Sequence, residues 1–220
     1  MSSLLVLVPT AGERRVLAPA LGETATVELC GFGPVAAAAR AAALVARHAP
    51  ARVLLAGIAG RFDERFAVGS AYLFSEVACF GIGVGSGAAF QPAATLGWLQ
   101  WPGDPPGDEA AVGDVITCGP MPATAPPAAG LLLTACAASA DATDVAVRRR
   151  LFPTAVAEDM EGFGVALACR LAGVPLAIVR GISNDAGDRD KRRWQIGPAL
   201  EAAASLARTF IAAAGQELSR

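Results

Sequence analysis

The stretch PTAVAEDMEGFGVALACRLAGVPLAIVRGISNDAGDRD, residues 153–190, decides how this chain folds. Its apolar runs predict a buried strand over residues 154–158 and a second strand over residues 175–180, with a helix over residues 163–171 between them. An acidic turn joins the first strand to the helix, and a polar loop follows the second strand. This order brings the C-terminal ends of both strands to one rim of a sheet, where ligands bind in α/β folds.

Polar side chains gather at that rim. They are Glu158, Asp159, Glu161, Ser183, Asn184 and Asp185. We expect the three acids to face the other three residues across a cleft, which is the layout of a binding site.

Short motifs in this stretch resemble a known family. An M-E-G turn at residues 160–162 opens a helix of small residues, a V-P pair starts the next strand, and R-x-I-S at residues 180–183 precedes Asn184. These motifs are similar to those of the nucleoside phosphorylase and nucleosidase superfamily, especially the nucleosidases that cleave methylthioadenosine and S-adenosylhomocysteine. With Asn184 in place of aspartate, and with the A-G-D-R-D tail, the stretch is most similar to the futalosine hydrolases of menaquinone biosynthesis. The resemblance covers nearly the whole chain and is weakest over residues 81–140.

The resemblance implies an α/β fold, a three-layer αβα sandwich with a central mixed, partly barrel-like sheet. The length and the lack of a linker indicate one domain over residues 1–220. Outside the central stretch, apolar runs predict strands over residues 3–9, 24–30, 52–56, 68–77, 112–117 and 131–135. Helices are predicted from Glu13 onward and over residues 35–48, 142–150 and 197–214.

The resemblance also implies catalytic roles. Cleaving a purine N-riboside requires a base for the attacking water, a group that holds the sugar hydroxyls and support for the departing purine. Glu13, just after the first strand, matches the glutamate that activates water, although an acid in a first helical turn is also favoured as a helix cap. Glu161 matches the glutamate that binds the ribose hydroxyls, and Met160 should pack against the sugar.

Asn184 is expected to select the base. An amide accepts from N7–H and donates to O6 of a 6-oxopurine, whereas the aspartate of the adenine-specific relatives suits a 6-amino group. The alternative is an asparagine that serves only its own turn. Asp185 is the rival candidate for protonating N7.

Further contacts with the substrate are predicted along the rim. They are expected at Gly33, Ala59, Gly60, Asp159, Met160, Ser183 and Arg189. The glycines and the alanine let a nucleoside approach the backbone. Arg189 belongs to a cationic run before the last helix, which suggests an anionic partner, although a solvated charge run is the commoner explanation.

Leu55 stands where phosphorylases of the superfamily carry an arginine for phosphate, which favours water as the nucleophile. Arg61 is discounted, but not excluded, as a phosphate ligand because it lies further along the chain.

Composition excludes several classes of function. A net charge of −2 gives no reason to expect nucleic acid or an anionic membrane as a partner, and no apolar run is long enough to span a membrane. With His48 the only histidine and five dispersed cysteines, we expect no metal site, no disulfide and a cytoplasmic location. The G-x-G turn at residues 31–33 mimics a dinucleotide fingerprint, but the following strand lacks the acidic residue for a ribose, so no cofactor is predicted.

A segment rich in glycine, proline and aromatic residues covers residues 80–107. Trp98 and Trp101 are a large apolar area to leave in water, so we expect this segment to pack on a second copy of the chain rather than form a mobile surface loop. The predicted assembly is a homodimer or a higher homo-oligomer that binds a small nucleoside.

Overall fold

The computed structural model of the chain describes residues 4–105 and 111–218. Within them the strands are β1 (Leu4–Val8), β2 (Thr26–Leu29), β3 (Arg52–Arg61), β4 (Ala71–Phe74), β5 (Glu76–Phe80), β6 (Gly83–Val84), β7 (Gln91–Pro92), β8 (Val115–Thr117), β9 (Leu131–Ala135), β10 (Ala155–Asp159) and β11 (Leu176–Asp185). The α-helices are α1 (Ala11–Leu21), α2 (Pro34–His48), α3 (Ala142–Leu151), α4 (Gly162–Leu171) and α5 (Ile196–Leu218). Ser3, the predicted start of the first strand, and residues 106–107 of the aromatic segment lie outside the described residues.

Nine of the strands form one mixed sheet. Its path runs β2-β1-β3-β10-β9-β5-β8, and β11 pairs with the free edge of β3 and with β4. The pairs β1–β3, β3–β11 and β9–β10 are parallel. Strand β10 runs antiparallel to β3 where the two meet, and the pairs β4–β11 and β5–β8 are also antiparallel, so the sheet is mixed.

The sheet closes on itself through β4 and β5, which are separated only by Ser75. Strand β4 pairs with β11, and β5 pairs with β9. The ring β3–β11–β4/β5–β9–β10 therefore returns to β3, and the expected partly barrel-like sheet is confirmed. The single strand predicted over residues 68–77 was wrong in one respect, because the chain changes partners at Ser75.

Helices cover both faces of the sheet. Helices α1 and α5 pack on the face that presents Val6, Leu54 and Val179, and α2 and α4 pack on the face that presents Leu55 and Ile178. This alternation follows from the two-residue period of strand side chains. The resulting αβα sandwich matches the predicted fold class.

Two strands extend further than their sequences predict. Strand β3 continues to Arg61 and β11 continues to Asp185, so the residues expected in a polar loop after Arg180 are paired with β3 instead. Local sequence did not indicate this because the small and polar residues at both strand ends have low strand propensity. Residues 80–105 hold the β6–β7 hairpin and two short 3₁₀ turns, which were not predicted.

Candidate active site

Arg180 lies at the centre of the site and is fully buried. It stands on β11 directly across from Gly57 of β3. A Cβ atom added to Gly57 would come within 2.2 Å of Arg180 Nη1, so only glycine leaves room for the guanidinium. We expected this part of β3 to admit a ligand to the backbone, but at Gly57 a protein side chain takes the space.

Two carboxylates compensate the buried charge of Arg180. Its Nε donates to Asp159 Oδ2 at 3.0 Å, and its Nη2 donates to the same oxygen and, at 3.4 Å, to Glu161 Oε2. Burial alone would lower the pKa of Arg180, but the charges of Asp159, Glu161 and Glu13 outweigh burial and raise that pKa. Arg180 Nη1 has no hydrogen-bond partner among the described residues.

Asp159 is enclosed by donors on every side. Thr134 Oγ donates to its Oδ1 at 2.6 Å, and the Gly162 amide donates to its Oδ2 at 2.9 Å. The side chain of Asp159 is 0% exposed. This geometry does not fit the predicted contact with a substrate, because the carboxylate is already fully used in holding Arg180.

Glu161 lies at the start of α4 and is buried. Its Oε1 accepts from the Gly33 amide at 3.0 Å, which brings the predicted G-x-G turn to the predicted ribose-binding acid. Burial raises the pKa of Glu161 to about 7, and the charges of Asp159 and Glu13 act in the same direction. Arg180 and the Gly33 amide oppose this shift.

Glu13 both caps α1 and reaches the site. Its Oε2 accepts from the Thr10 amide at 3.0 Å and from Thr10 Oγ at 2.6 Å, while Thr10 Oγ accepts from the Glu13 amide, which completes a capping box. Its Oε1 accepts from the Ile58 amide at 3.0 Å and lies 2.7 Å from the position of a Cβ on Gly57. One carboxylate therefore caps α1 and also lies beside Gly57, the position at which a catalytic role is predicted for it.

Asn184 lies further along the rim, across from Gly60 of β3. Its Oδ1 accepts from Ser183 Oγ at 2.7 Å, and its Nδ2 donates to the Asp185 carbonyl at 2.7 Å. Ser183 Oγ also lies 3.3 Å from the Ala59 carbonyl. Gly57 and Gly60 are three residues apart on one strand, so their Cα atoms are separated by about 10 Å.

Asp185 turns away from Asn184 and pairs with Arg61, whose Nε donates to Asp185 Oδ1 at 2.6 Å. Arg61 Nη1 also donates to the carbonyls of Glu64 and Phe66. Both side chains are therefore engaged by the protein.

Comparison with known proteins identifies the family. A sequence model of the phosphorylase superfamily matches residues 6–214. The chain belongs to the phosphorylase superfamily. It is 36% identical over 150 residues to futalosine hydrolase of Streptomyces coelicolor, a match that covers 68% of this chain and 60% of that protein. The chain thus spans less than two thirds of this relative's length.

A second relative and a solved structure are also similar to this chain. It is 30% identical over 178 residues to 5′-methylthioadenosine/S-adenosylhomocysteine nucleosidase of Shewanella putrefaciens, covering 76% of this chain and 71% of that protein. The solved structure of futalosine hydrolase from Helicobacter pylori superposes with a TM-score of 0.73 at 14% identity, over 96% of this chain and 97% of that one. At that identity the superposition shows a common fold.

Glu158 does not face the cleft, contrary to the sequence-based expectation. Its carboxylate accepts from the amide and hydroxyl of Ser139, at 2.9 and 2.7 Å, and pairs with Arg148 of α3. Consecutive residues of a strand point to opposite faces, so Glu158 and Asp159 cannot both line one pocket. Glu158 instead anchors the loop between β9 and α3.

The cationic run after Asp185 divides into paired and unpaired members. Arg192 pairs with Asp190, and Arg193 pairs with Asp188. Arg189 makes no ion pair among the described residues and stacks over the Trp194 ring at 5.2 Å. The Gln195 amide donates to the Ser183 carbonyl at 2.8 Å, which holds this segment against the Asn184 cluster.

Sequence reasoning missed two residues of the site. Arg180 was treated only as a strand end. An arginine that directly continues an apolar run indicates a buried charge, which needs acid partners. Phe32 is 65% exposed beside Gly33 at the rim. An aromatic residue between two glycines with positive φ was the available signal.

A groove lies away from the predicted site residues. Its volume is about 330 Å³, and it is lined by residues 116–120, by the C-terminal half of α4 and by residues 173–175, which precede β11. It contains none of the predicted site residues. Within residues 4–105 and 111–218, no group of His, Cys, Asp and Glu side chains has the arrangement of a metal site, and no helix is both long and apolar enough to cross a bilayer.

Proposed function

We propose that this member of the phosphorylase superfamily hydrolyses the N-glycosidic bond of futalosine, releasing hypoxanthine and dehypoxanthine futalosine in menaquinone biosynthesis. The observation that carries the proposal is the convergence of Glu13 and Arg180 above Gly57, with Glu161 beside them. A base, a cation and an anion around one point suit the attack of water on a sugar that becomes positively charged.

In the proposed reaction the oxygen of water bonds to C1′ of the ribose as the C1′–N9 bond breaks. Glu13 takes a proton from the water, and the electron pair of the broken bond passes to the purine, which gains a proton from solvent. A water held between Glu13 Oε1 and Arg180 Nη1 would donate to the carboxylate and accept from the guanidinium. Glu161 would hold the ribose hydroxyls and favour the cationic sugar.

Water is favoured over phosphate as the nucleophile. Leu55, at the position of the phosphate-binding arginine, is a fully buried core residue between α2 and the sheet. Arg61, the nearest substitute, is engaged by Asp185 and two carbonyls. Neither residue leaves a cation for a phosphate.

Asn184 supports a 6-oxopurine as the base. Ser183 holds its Oδ1, and the Asp185 carbonyl takes one of its two N–H donors. One N–H therefore stays available for O6 of the purine, and the second lone pair of Oδ1 stays available for N7–H. The engagement of the Asp185 carboxylate by Arg61 counts against Asp185 as the proton donor to N7.

The benzoate-bearing chain of futalosine requires an apolar wall and a cation. Arg189 is held near the site through Trp194 and has no competing carboxylate among the described residues, and its fork suits bidentate binding of a carboxylate. Phe32, exposed beside Gly33, offers apolar surface on the other side. We therefore favour Arg189 over Arg192 and Arg193, which are already paired.

The main alternative is an adenine-directed nucleosidase, the activity for which the Shewanella putrefaciens relative is named. A phosphorylase and a nucleoside-binding protein without catalysis are less favoured. The amide at Asn184 argues against the adenine-directed nucleosidase, and the buried Leu55 argues against the phosphorylase. The presence of both Glu13 and Glu161 argues against a protein without catalysis.

Futalosine should be hydrolysed at least about tenfold more efficiently than inosine, roughly 1.4 kcal/mol of transition-state preference, because only futalosine engages Arg189. Release of hypoxanthine followed for both substrates, with and without phosphate, measures this directly. We expect no dependence on phosphate. Ribose 1-phosphate among the products would refute hydrolysis, and equal efficiencies would indicate a general inosine nucleosidase.

Asn184→Asp provides the matched control for base selection. The carboxylate cannot donate to O6, so action on futalosine should fall by tenfold or more while action on 6-amino analogues rises, since an unpaired buried polar group costs about 1–3 kcal/mol. The ratio of the two activities is the measurement. An unchanged ratio would show that Asn184 serves only its own turn.

Activity should rise with pH through about 7 and then level off. Below this value Glu161 is protonated and loses the charge that favours the cationic sugar, because its pKa is raised from the usual 4.5 to about 7 by burial. The free energy of unfolding should change in the opposite direction. The folded state binds more protons than the unfolded state across this range, so the free energy of unfolding falls as pH rises. The pH profile of kcat/KM tests this. Glu161→Gln should remove the acid limb of that profile, which is the fall in kcat/KM at low pH.

The aromatic segment supports a homo-oligomer. Four of its apolar side chains are about half exposed: Ile82, Val84, Trp98 and Leu99. Such a patch is typical of an interface. We expect at least a dimer at micromolar concentration, and a monomeric mass by sedimentation would contradict this.

A further inference from the structure

Helix α4 is capped by its neighbours and not by its own N-cap residue. Glu161 occupies the N-cap position but makes no capping hydrogen bond with its side chain. The first two amides of the helix donate elsewhere: Gly162 to Asp159 Oδ2 at 2.9 Å and Phe163 to Thr134 Oγ at 2.8 Å. The Glu161 carboxylate is thereby left to face the cleft.

Thr134 links this cap to the buried charges. Its hydroxyl is 0% exposed, accepts from the Phe163 amide and donates to Asp159 Oδ1 at 2.6 Å. No other donor among the described residues reaches that oxygen. One hydroxyl on β9 therefore fixes both the start of α4 and the rotation of the Asp159 carboxylate.

We propose that Thr134 is a positioning residue of the active site, which sets how Arg180 is shared between Asp159 and Glu161. The inference rests on the proposed function for its kinetic consequences but on hydrogen bonds alone for its geometry. With Oδ1 of Asp159 held by Thr134, only Oδ2 faces Arg180, and Nη2 stays within 3.4 Å of Glu161.

Removing the hydroxyl changes this division. Thr134→Val keeps the shape of the side chain but leaves Asp159 Oδ1 without a donor in a buried environment, which is unfavourable. The Arg180 guanidinium, which already donates to Oδ2 and whose planar fork can bind both oxygens of a carboxylate, can satisfy it. The carboxylate should rotate toward Arg180 and draw the guanidinium away from Glu161.

Glu161 then becomes a weaker acid. The charged and titratable groups around it are Arg180 from β11, Asp159 from β10, Glu13 from α1 and Cys30 after β2. Among them only Arg180 favours the ionised form, so loss of its proximity shifts the equilibrium toward protonated Glu161. A helix cap with no link to the charges would not have this effect.

The experiment compares Thr134→Val, Thr134→Cys and Thr134→Ser by the pH profile of hypoxanthine release and by the free energy of unfolding as a function of pH. For Thr134→Val we expect kcat/KM at pH 7 to fall about tenfold or more, as misplaced groups cause, and the acid limb to move to higher pH. Thr134→Ser keeps the hydroxyl and should restore the wild-type limb. Thr134→Cys, a weak donor, should give an intermediate shift, and it serves in place of valine if that variant does not fold.

The two readouts separate this inference from the proposed function. If the wild type released no hypoxanthine, the proposed function would fail, yet the fall in stability with rising pH would still extend to higher pH in Thr134→Val than in Thr134→Ser. Thr134→Val could instead lose stability while its acid limb and the pH dependence of its unfolding both stay unchanged. That result would overturn the role of Thr134.

Discussion

Replacing Glu13 by glutamine should lower kcat for futalosine by about 10²- to 10⁴-fold while leaving binding of the nucleoside largely intact, because the amide keeps the shape of the side chain but takes no proton. Rapid measurement of hypoxanthine release and equilibrium binding of a non-hydrolysable analogue give the two quantities. A variant that keeps more than a tenth of the activity would place the base elsewhere.

The hydrogen bonds of Glu13 require a control for this variant. Both of its oxygens accept hydrogen bonds, one from Thr10 and the other from the Ile58 amide. In the glutamine variant an NH₂ group replaces one of these oxygens and faces another donor. We expect a cost in stability of about 1–3 kcal/mol. Thr10→Val removes the cap of α1 at a cost of about 1 kcal/mol but leaves the carboxylate, so its loss of turnover should be far smaller than that of Glu13→Gln.

Arg180→Met should lower the free energy of unfolding by about 3–5 kcal/mol and reduce turnover of the remaining folded protein by about 10²-fold or more. The stability is lost because Asp159 and Glu161 are left as buried carboxylates without a cation. Turnover is lost because the guanidinium no longer orients the attacking water. Denaturant unfolding and the activity per folded molecule measure the two effects.

Arg148→Met is the matched control, since Arg148 forms an equally buried pair with Glu158 outside the site. A comparable loss of stability is expected, about 3–5 kcal/mol, with turnover per folded molecule close to that of the wild type. Equal losses of turnover in the two variants would mean that Arg180 acts through stability alone.

The sequence predicted the fold more completely than the site. Apolar runs located the sheet and helices, because burial imposes a period that the residues themselves display. The rim acids were also located, but the side to which each points was not. Glu158 and Asp159 are adjacent in sequence, and only the packing of α3 and β11 against β10 shows which of them meets Arg148 and which meets Arg180.

Asn184 illustrates a second limit. A serine, an asparagine and an aspartate in succession predict a turn, yet the structure extends β11 through them because the backbone of β3 supplies the hydrogen bonds. Gly57 and Gly60 are the two β3 residues that face the site clusters, and Gly60 was predicted as a site of close approach. That one of them makes room for an arginine depends on register between distant strands, which no local pattern contains.

The closed ring of strands has a consequence for how specificity can diverge in this protein. Glu161, Arg180 and Asn184 are attached to strands of the ring or to the helix that directly follows one of them, so no hinge separates them. Phe32 and Arg189, in contrast, lie on connections outside the ring. If the proposed function holds, sequence changes in those connections can alter which 5′ substituent is accepted while Glu161, Arg180 and Asn184 stay fixed.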